Sequence, residues 1–168
     1  QWWHPAPDGR LARTPRRRSA LMSRVLLFGA GATGARIARQ LRSSGMVDQV
    51  EVRDPNLERL GRIIDDLGAG AVGGRGRSIT DSPDVVVIAT PPGTQLGLTR
   101  RAVHEGVPVV TTSNQTSEVR RLLTLDDEAR YQGVPVVVGA GFMPGLTCLV
   151  ARHGAREFDE IEEIHVAK

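Results

Sequence analysis

Short, continuous apolar runs recur along this chain with helical patterns between them, and that rhythm is its strongest constraint on fold. The runs fall at residues 25–28, 85–89, 108–112 and 134–138, with Val50-Glu51-Val52 reading as a second strand, and the sharpest is Val85-Val86-Val87-Ile88-Ala89. A strand that is apolar at every position must be covered on both faces, which describes a parallel sheet rather than a half-wetted antiparallel one. The segments between the runs carry the helical period. Residues 32–43 place Ile37, Ala38 and Leu41 on one face and arginines on the other. Residues 57–67, 95–105 and 116–131 read as further helices, and the glycine-rich stretch 71–79 as a weak third strand. Strands joined by helices in this order predict an α/β fold, a doubly wound parallel sheet.

The chain has 168 residues, 40% of them apolar, enough for one domain with a true core. Its net charge of +3 does not describe the whole chain. Residues 1–22 hold five of the 22 basic side chains and one of the 19 acidic ones, leaving 17 against 18, or −1, for the rest. Basic character belongs to this segment, which argues against a nucleic-acid partner. Three prolines and the run Arg16-Arg17-Arg18 mark residues 1–22 as a disordered basic tail or a start-site artefact, with Met22 as a natural start. A twin-arginine export signal is the alternative, since an apolar stretch follows. Against it, that stretch is also the first strand, and cleavage there would destroy the fold.

No apolar run approaches the ~20 residues that span a bilayer. The single cysteine, Cys148, excludes an intrachain disulfide and a cysteine-built zinc site, and fits the reducing cytoplasm. The expectation is a cytoplasmic protein with no membrane partner and no metal. Residues 23–157 form the expected domain. Beyond them Ile164 and Val166 alternate with Glu163 and His165, so residues 158–168 read as the first strand of a second, α+β part.

Gly29-Ala30-Gly31-Ala32-Thr33-Gly34 follows the first strand and opens the first helix. In this setting Gly29 permits a tight turn, Gly31 lets backbone approach a pyrophosphate, and Gly34 lets helix and strand pack closely. The helix start at Ala32 and Thr33 then offers free N–H groups and the positive end of a dipole. Asp54 lies 20 residues beyond Gly34, at the end of the second strand, where a carboxylate can bond ribose hydroxyls. The combination is the fingerprint of a dinucleotide-binding Rossmann domain. The phosphate of NADP would bring about −1.5 to −2 charge toward Asp54. Two unit charges ~4 Å apart repel by roughly 4 kcal/mol at an effective dielectric of ~20. Arg53 could offset this, but strand alternation turns it away. NAD is therefore favoured, with NADP open.

Three more loops should lie beside the dinucleotide, because ligands of such sheets sit outside the carboxyl ends of the strands. Thr90-Pro91-Pro92-Gly93 follows the fourth strand and is stiff. Thr112-Ser113-Asn114 follows the fifth and offers small polar groups, with Ser113 the candidate near the nicotinamide ribose. Gly139-Ala140-Gly141 leads from the sixth into a helix, with Pro144 suited to its first turn.

Taken in order, GAGATG, the acidic end of the second strand, VVVIATPPGT, VVTTSN and VVVGAGFMPGL resemble the saccharopine dehydrogenase-like oxidoreductases over residues 25–168. GAGFMPGL is the most specific of these elements. The resemblance implies hydride transfer between nicotinamide and an amino-acid-derived amine or imine. It also implies a following α+β domain that binds the small-molecule substrate and helps form a homo-oligomer. It supports cofactor roles for Gly29, Gly31, Gly34, Asp54 and the loops after strands four to six, and leaves the catalytic acid or base to be sought beyond Lys168.

Other candidates carry less. Cys148 is expected to be a buried apolar residue rather than a nucleophile. His104 stands among Arg100, Arg101 and Glu105 and reads as solvated, while His153 and His165 have no evident role. Asp126-Asp127-Glu128 diverge around a helix and read as a solvated face, not a metal cluster. The rival function is a regulatory nucleotide sensor, which would share the glycine turn and Asp54 but need no nicotinamide-facing loops.

Overall fold

A computed structural model describes residues 23–79, 82–143 and 145–165 of the chain. Residues 1–22, Pro144 and the last part of the expected terminal strand, 166–168, lie outside the described residues.

The strands are β1 (Arg24–Phe28), β2 (Gln49–Arg53), β3 (Ala71–Gly74), β4 (Val85–Ile88), β5 (Val109–Thr111) and β6 (Val136–Val137). The helices are α1 (Ala32–Ser43), α2 (Leu57–Leu67), α3 (Gln95–His104), α4 (Thr116–Leu123), α5 (Asp126–Gln132) and α6 (Leu146–Ala155). The strands make one parallel sheet in the order β3-β2-β1-β4-β5-β6. This is the doubly wound sheet expected of the alternation, and β1 at its centre is the point where the order reverses.

Continuous apolar strands are explained by the two cores. Val25 and Leu27 of β1 join Val50, Val52 and Val87 beneath Ala38 of α1 and Leu60 and Ile63 of α2. Leu26 and Phe28 point the other way, joining Val86, Ile88 and Val109 beneath Leu98 and Ala102 of α3. Successive side chains of a strand face opposite sides, so each run serves both cores.

Three expectations need correction. Residues 116–131 are two helices, not one. At the break, Thr124 and Leu125 donate to carbonyls three residues back, Arg121 and Leu122. That tightened turn puts both Leu122 and Leu125 in the interior, at 2% and 1% exposure. Second, β6 spans only two of the five residues expected at 134–138. Pro135 has no N–H for the ladder, although its carbonyl accepts from Val109. Third, residues 161–165 form no strand. A strand requires a neighbour to satisfy its backbone, and no described segment lies alongside.

Register then sets the site. Phe28 stands level with Arg53 on one side and Ile88 on the other. The chains leaving these strands are stitched together: Gly29 N–H donates to Arg53 O, Ala89 N–H to Phe28 O, Thr112 N–H to Ile88 O and Ala140 N–H to Thr111 O. Every loop singled out in the sequence therefore emerges along one edge of the sheet.

Candidate functional site at the carboxyl edge of the sheet

The glycines after β1 do different work. Gly29 has φ of +102°, and a Cβ there would stand 2.5 Å from the carbonyl oxygen of Ala89. A Cβ on Gly34 would overlap the carbonyl oxygen of Gly29. Both glycines are demanded by close packing of turn, helix and β4. Gly31 is not. Its φ of −70° and ψ of −175° suit any residue. A Cβ there would meet only Arg59 Nη1, at an ordinary 3.8 Å. Space beside Gly31 is kept clear for no reason internal to the fold.

That space faces unused donors. Ala35 N–H closes the first helical bond onto Gly31 O. The N–H groups of Gly31, Ala32, Thr33 and Gly34 find no acceptor among the described residues. The first turn of α1 has no acidic side chain and no side-chain cap, and Ala32 and Thr33 are exposed. An anion can reach these groups without displacing a partner.

Asp54 ends β2 beside this turn, but its carboxylate faces inward. Oδ2 accepts from Ala30 N–H at 2.7 Å and Oδ1 from Asn56 N–H at 2.8 Å. It is thus a brace of the glycine turn, with lone pairs to spare but little exposed surface. Arg59 of α2 lies with Nη1 3.9 Å from Asp54 Oδ2, its side chain about half exposed. Arg53 is turned away, as strand alternation predicted: it pairs with Glu51, donates to the carbonyl of Ser78 and covers the ring of Phe28.

On the far side of β1 the loop of Thr90, Pro91, Pro92 and Gly93 presents its prolines to solvent. Thr94 Oγ1 lies 2.8 Å from both Thr90 Oγ1 and the carbonyl of Pro91, and Gln95 Nε2 donates to the Thr90 carbonyl. Ser113 is buried rather than offered outward, and its hydroxyl donates to Glu118 Oε2 at 3.2 Å. Gly141 bridges to Gly145 and its carbonyl accepts from Leu146 N–H, fixing the approach to α6.

Two residues escaped the sequence. Arg59 sits at an unremarkable position in the first turn of α2. Glu118 occupies the third position of α4, where sequence alone suggests a local capping glutamate; it bonds instead to residues outside its own helix.

The remaining candidates do not join the site. Glu128 meets Arg100 and His104 on the surface, and Asp126 pairs with Arg130. The Asp126 carboxylate raises the Arg130 pKa further, first through their hydrogen bond. His153 is exposed, and His165 pairs with Glu163 at the surface. Cys148 is exposed, not buried as expected, because α6 buries none of its residues. Among the described residues no group of three or more His, Cys, Asp or Glu could hold a metal ion, and no helix is long and apolar enough to cross a membrane.

Residues 24–121 match the family described as NADP oxidoreductase coenzyme F420-dependent. The chain belongs to this family. It is the NAD(P)-binding Rossmann domain of an oxidoreductase.

Members of several dehydrogenase types share its fold. Myo-inositol dehydrogenase from Corynebacterium glutamicum is 24% identical with a TM-score of 0.64, over 83% of this chain and 43% of that one. Saccharopine dehydrogenase (L-Glu forming) from Saccharomyces cerevisiae is 23% identical with a TM-score of 0.61, over 80% and 31%. Quinate dehydrogenase from C. glutamicum in complex with NAD is 25% identical with a TM-score of 0.54, over 73% and 46%. The chain thus spans less than half the length of these solved structures.

Proposed function

We infer that this chain supplies the dinucleotide-binding half of a dehydrogenase that acts on an amino-acid-derived amine or imine. The carrying observation is the contrast among the glycines: Gly29 and Gly34 are required by packing, whereas Gly31 leaves open space in front of four unused N–H groups. That arrangement fits a pyrophosphate held by backbone N–H groups from Gly31 to Gly34. Asp54 and Arg59 stand at the adenosine-ribose side. Thr90, Pro91, Pro92 and Gly141 line the nicotinamide side, with Ser113 buried behind them.

Both nucleotides fit. Asp54 spends its charge on two amides and on Arg59, so the repulsion that favoured NAD is reduced, and Arg59 offers a half-exposed cation to the phosphate of NADP. When bound, the nicotinamide supplies the hydride donor or acceptor. The residues of this chain hold and orient it; the proton-transferring group comes from outside the described residues. In the whole protein the domain works in the cytoplasm beside an α+β substrate part that begins over residues 158–168, as a homo-oligomer. The apolar surface of Leu146, Leu149, Val150 and Phe158, left uncovered by this domain, supports that reading. The amine or imine substrate rests on the likeness of GAGFMPGL and its companion motifs to the saccharopine dehydrogenase-like enzymes.

Thermal unfolding of the chain, alone and with millimolar NAD or NADP, tests the nucleotide site. A ligand at about 100 times its Kd that binds only the native state adds ~2.7 kcal/mol. A clear rise that disappears in Gly31→Val is expected. A cooperatively unfolding sample that neither nucleotide shifts overturns the reading. Turnover assays of the full-length protein with secondary amines and their imines test the substrate class.

A further inference from the structure

Glu118 is 3% exposed and meets no cation among the described residues. A buried carboxylate is tolerated only when hydrogen bonds replace its water. Those bonds come from three places. Oε1 accepts from the N–H of Gly93 at 2.9 Å and of Gln95 at 3.1 Å, and Oε2 from the hydroxyl of Ser113 at 3.2 Å. Gly93 closes the proline loop after β4, Gln95 begins α3, and Ser113 follows β5. Thr94, at the cap of α3, makes no side-chain cap of its own, so the positive end of this helix is met by Glu118. Gln95 passes the restraint onward through its Nε2 bond to the Thr90 carbonyl. One side chain therefore fixes the separation of the two loops on the nicotinamide side, while the glycine turn and Asp54 lie across β1.

We propose that Glu118 is the positioning residue of the nicotinamide-facing mouth, setting the loops after β4 and β5 against one another so that the ring is held in one orientation. This rests on the dinucleotide reading above. The carboxylate touches no reacting atom; it acts through Gly93, Gln95 and Ser113. Both carboxylate oxygens are satisfied by these donors, whereas Gln95 Oε1 is buried without a partner among the described residues. In a low-dielectric interior the satisfied bonds hold the two loops in a defined geometry.

The test separates the two halves of the nucleotide. Binding of NADPH and of 2′,5′-ADP, which lacks the nicotinamide half, is measured for the wild type, Glu118→Ala, Glu118→Asp and Glu118→Gln, together with emission of bound NADPH at saturation. Hydrogen bonds to a charged group predict that Glu118→Ala weakens NADPH binding about tenfold or more. Its affinity for 2′,5′-ADP should stay unchanged, and the emission enhancement of bound NADPH should fall. Glu118→Gln should restore both, because its oxygen can accept the two N–H groups and its amide can donate to Ser113. If Glu118→Ala does not fold, Glu118→Asp, one methylene short of the same partners, carries the same expectation. Equal loss of NADPH and 2′,5′-ADP affinity would mean a merely structural role and overturn the proposal. So would unchanged NADPH binding and emission. A wild type that binds 2′,5′-ADP but leaves NADPH emission unaltered also overturns it. Where the wild type takes NADH rather than NADPH, NADH and ADP-ribose form the pair with the same outcomes, and a wild type that binds none of the four overturns the dinucleotide reading itself.

Discussion

The carboxylate of Asp54 reaches from the end of β2 into the turn after β1 and accepts the N–H of Ala30 at 2.7 Å. A second bond, from Asn56 N–H, holds the other oxygen. The acidic residue of the dinucleotide fingerprint thus shapes the glycine turn through contacts within the protein.

Asp54→Ala would leave the Ala30 N–H without its acceptor, a loss of about 1–3 kcal/mol. At roughly 2–4 °C per kcal/mol for a chain of this size, calorimetry should record a drop of several degrees with no nucleotide present. Asp54→Asn, which keeps an acceptor, should fall less. A Tm unchanged in Asp54→Ala would show that the brace contributes nothing.

The glycines should separate stability from binding. Gly31→Ala is expected to unfold at the same temperature or slightly higher, by at most ~1 kcal/mol from reduced freedom of the unfolded chain. It should also lose the thermal shift with NAD and NADP. Gly34→Ala should destabilise outright, because its Cβ collides with the Gly29 carbonyl. A markedly unstable Gly31→Ala would contradict the claim that the fold leaves this position free.

Arg59 and Arg53 differ in the same way. The half-exposed pair of Arg59 with Asp54 is worth ~1 kcal/mol or less, so Arg59→Ala should barely move the Tm. It should reduce NADP affinity about tenfold, or ~1.4 kcal/mol, and NAD affinity by less. Buried Arg53 should behave oppositely: Arg53→Ala lowers the Tm and leaves the ratio of NADP to NAD affinity alone. Isothermal titration of both nucleotides decides this, and an unchanged ratio in Arg59→Ala would remove the residue from cofactor selection.

The break between α4 and α5 exists to bury leucines. Leu122→Ala should cost about 2–5 kcal/mol, the range for a fully buried leucine. The exposed neighbour Leu123, at 59% exposure, should tolerate the same change within ~0.5 kcal/mol. Denaturant titration of the two variants gives the comparison directly.

Much of the fold was legible because its signals are local or periodic. Residues 32–43 and 57–67 form the helices expected of them, and the apolar strands lie where continuous runs predicted. The failures came where neighbours decide. Thr124-Leu125 looks helical on pattern but turns early to bury two side chains. Residues 161–165 alternate like a strand but have no ladder to join. Cys148, expected in a core, sits on a helix whose surface this domain does not cover.

By itself the sequence determined the doubly wound sheet and brought the glycine turn, the proline loop and the segments after β5 and β6 to one edge. It could do so because strand and helix periods, and the glycines that permit a tight turn, are written in consecutive residues. Only the tertiary structure decided what individual side chains do at that edge. Arg59 is five residues from Asp54 along the chain and reaches it because α2 starts beside the glycine turn. Glu118 becomes a cross-brace because α4 packs its first turn against the start of α3, 23 to 25 residues earlier. Hydrogen bonds between segments depend on distances that no local pattern encodes, so these two residues emerged only once the loops stood side by side.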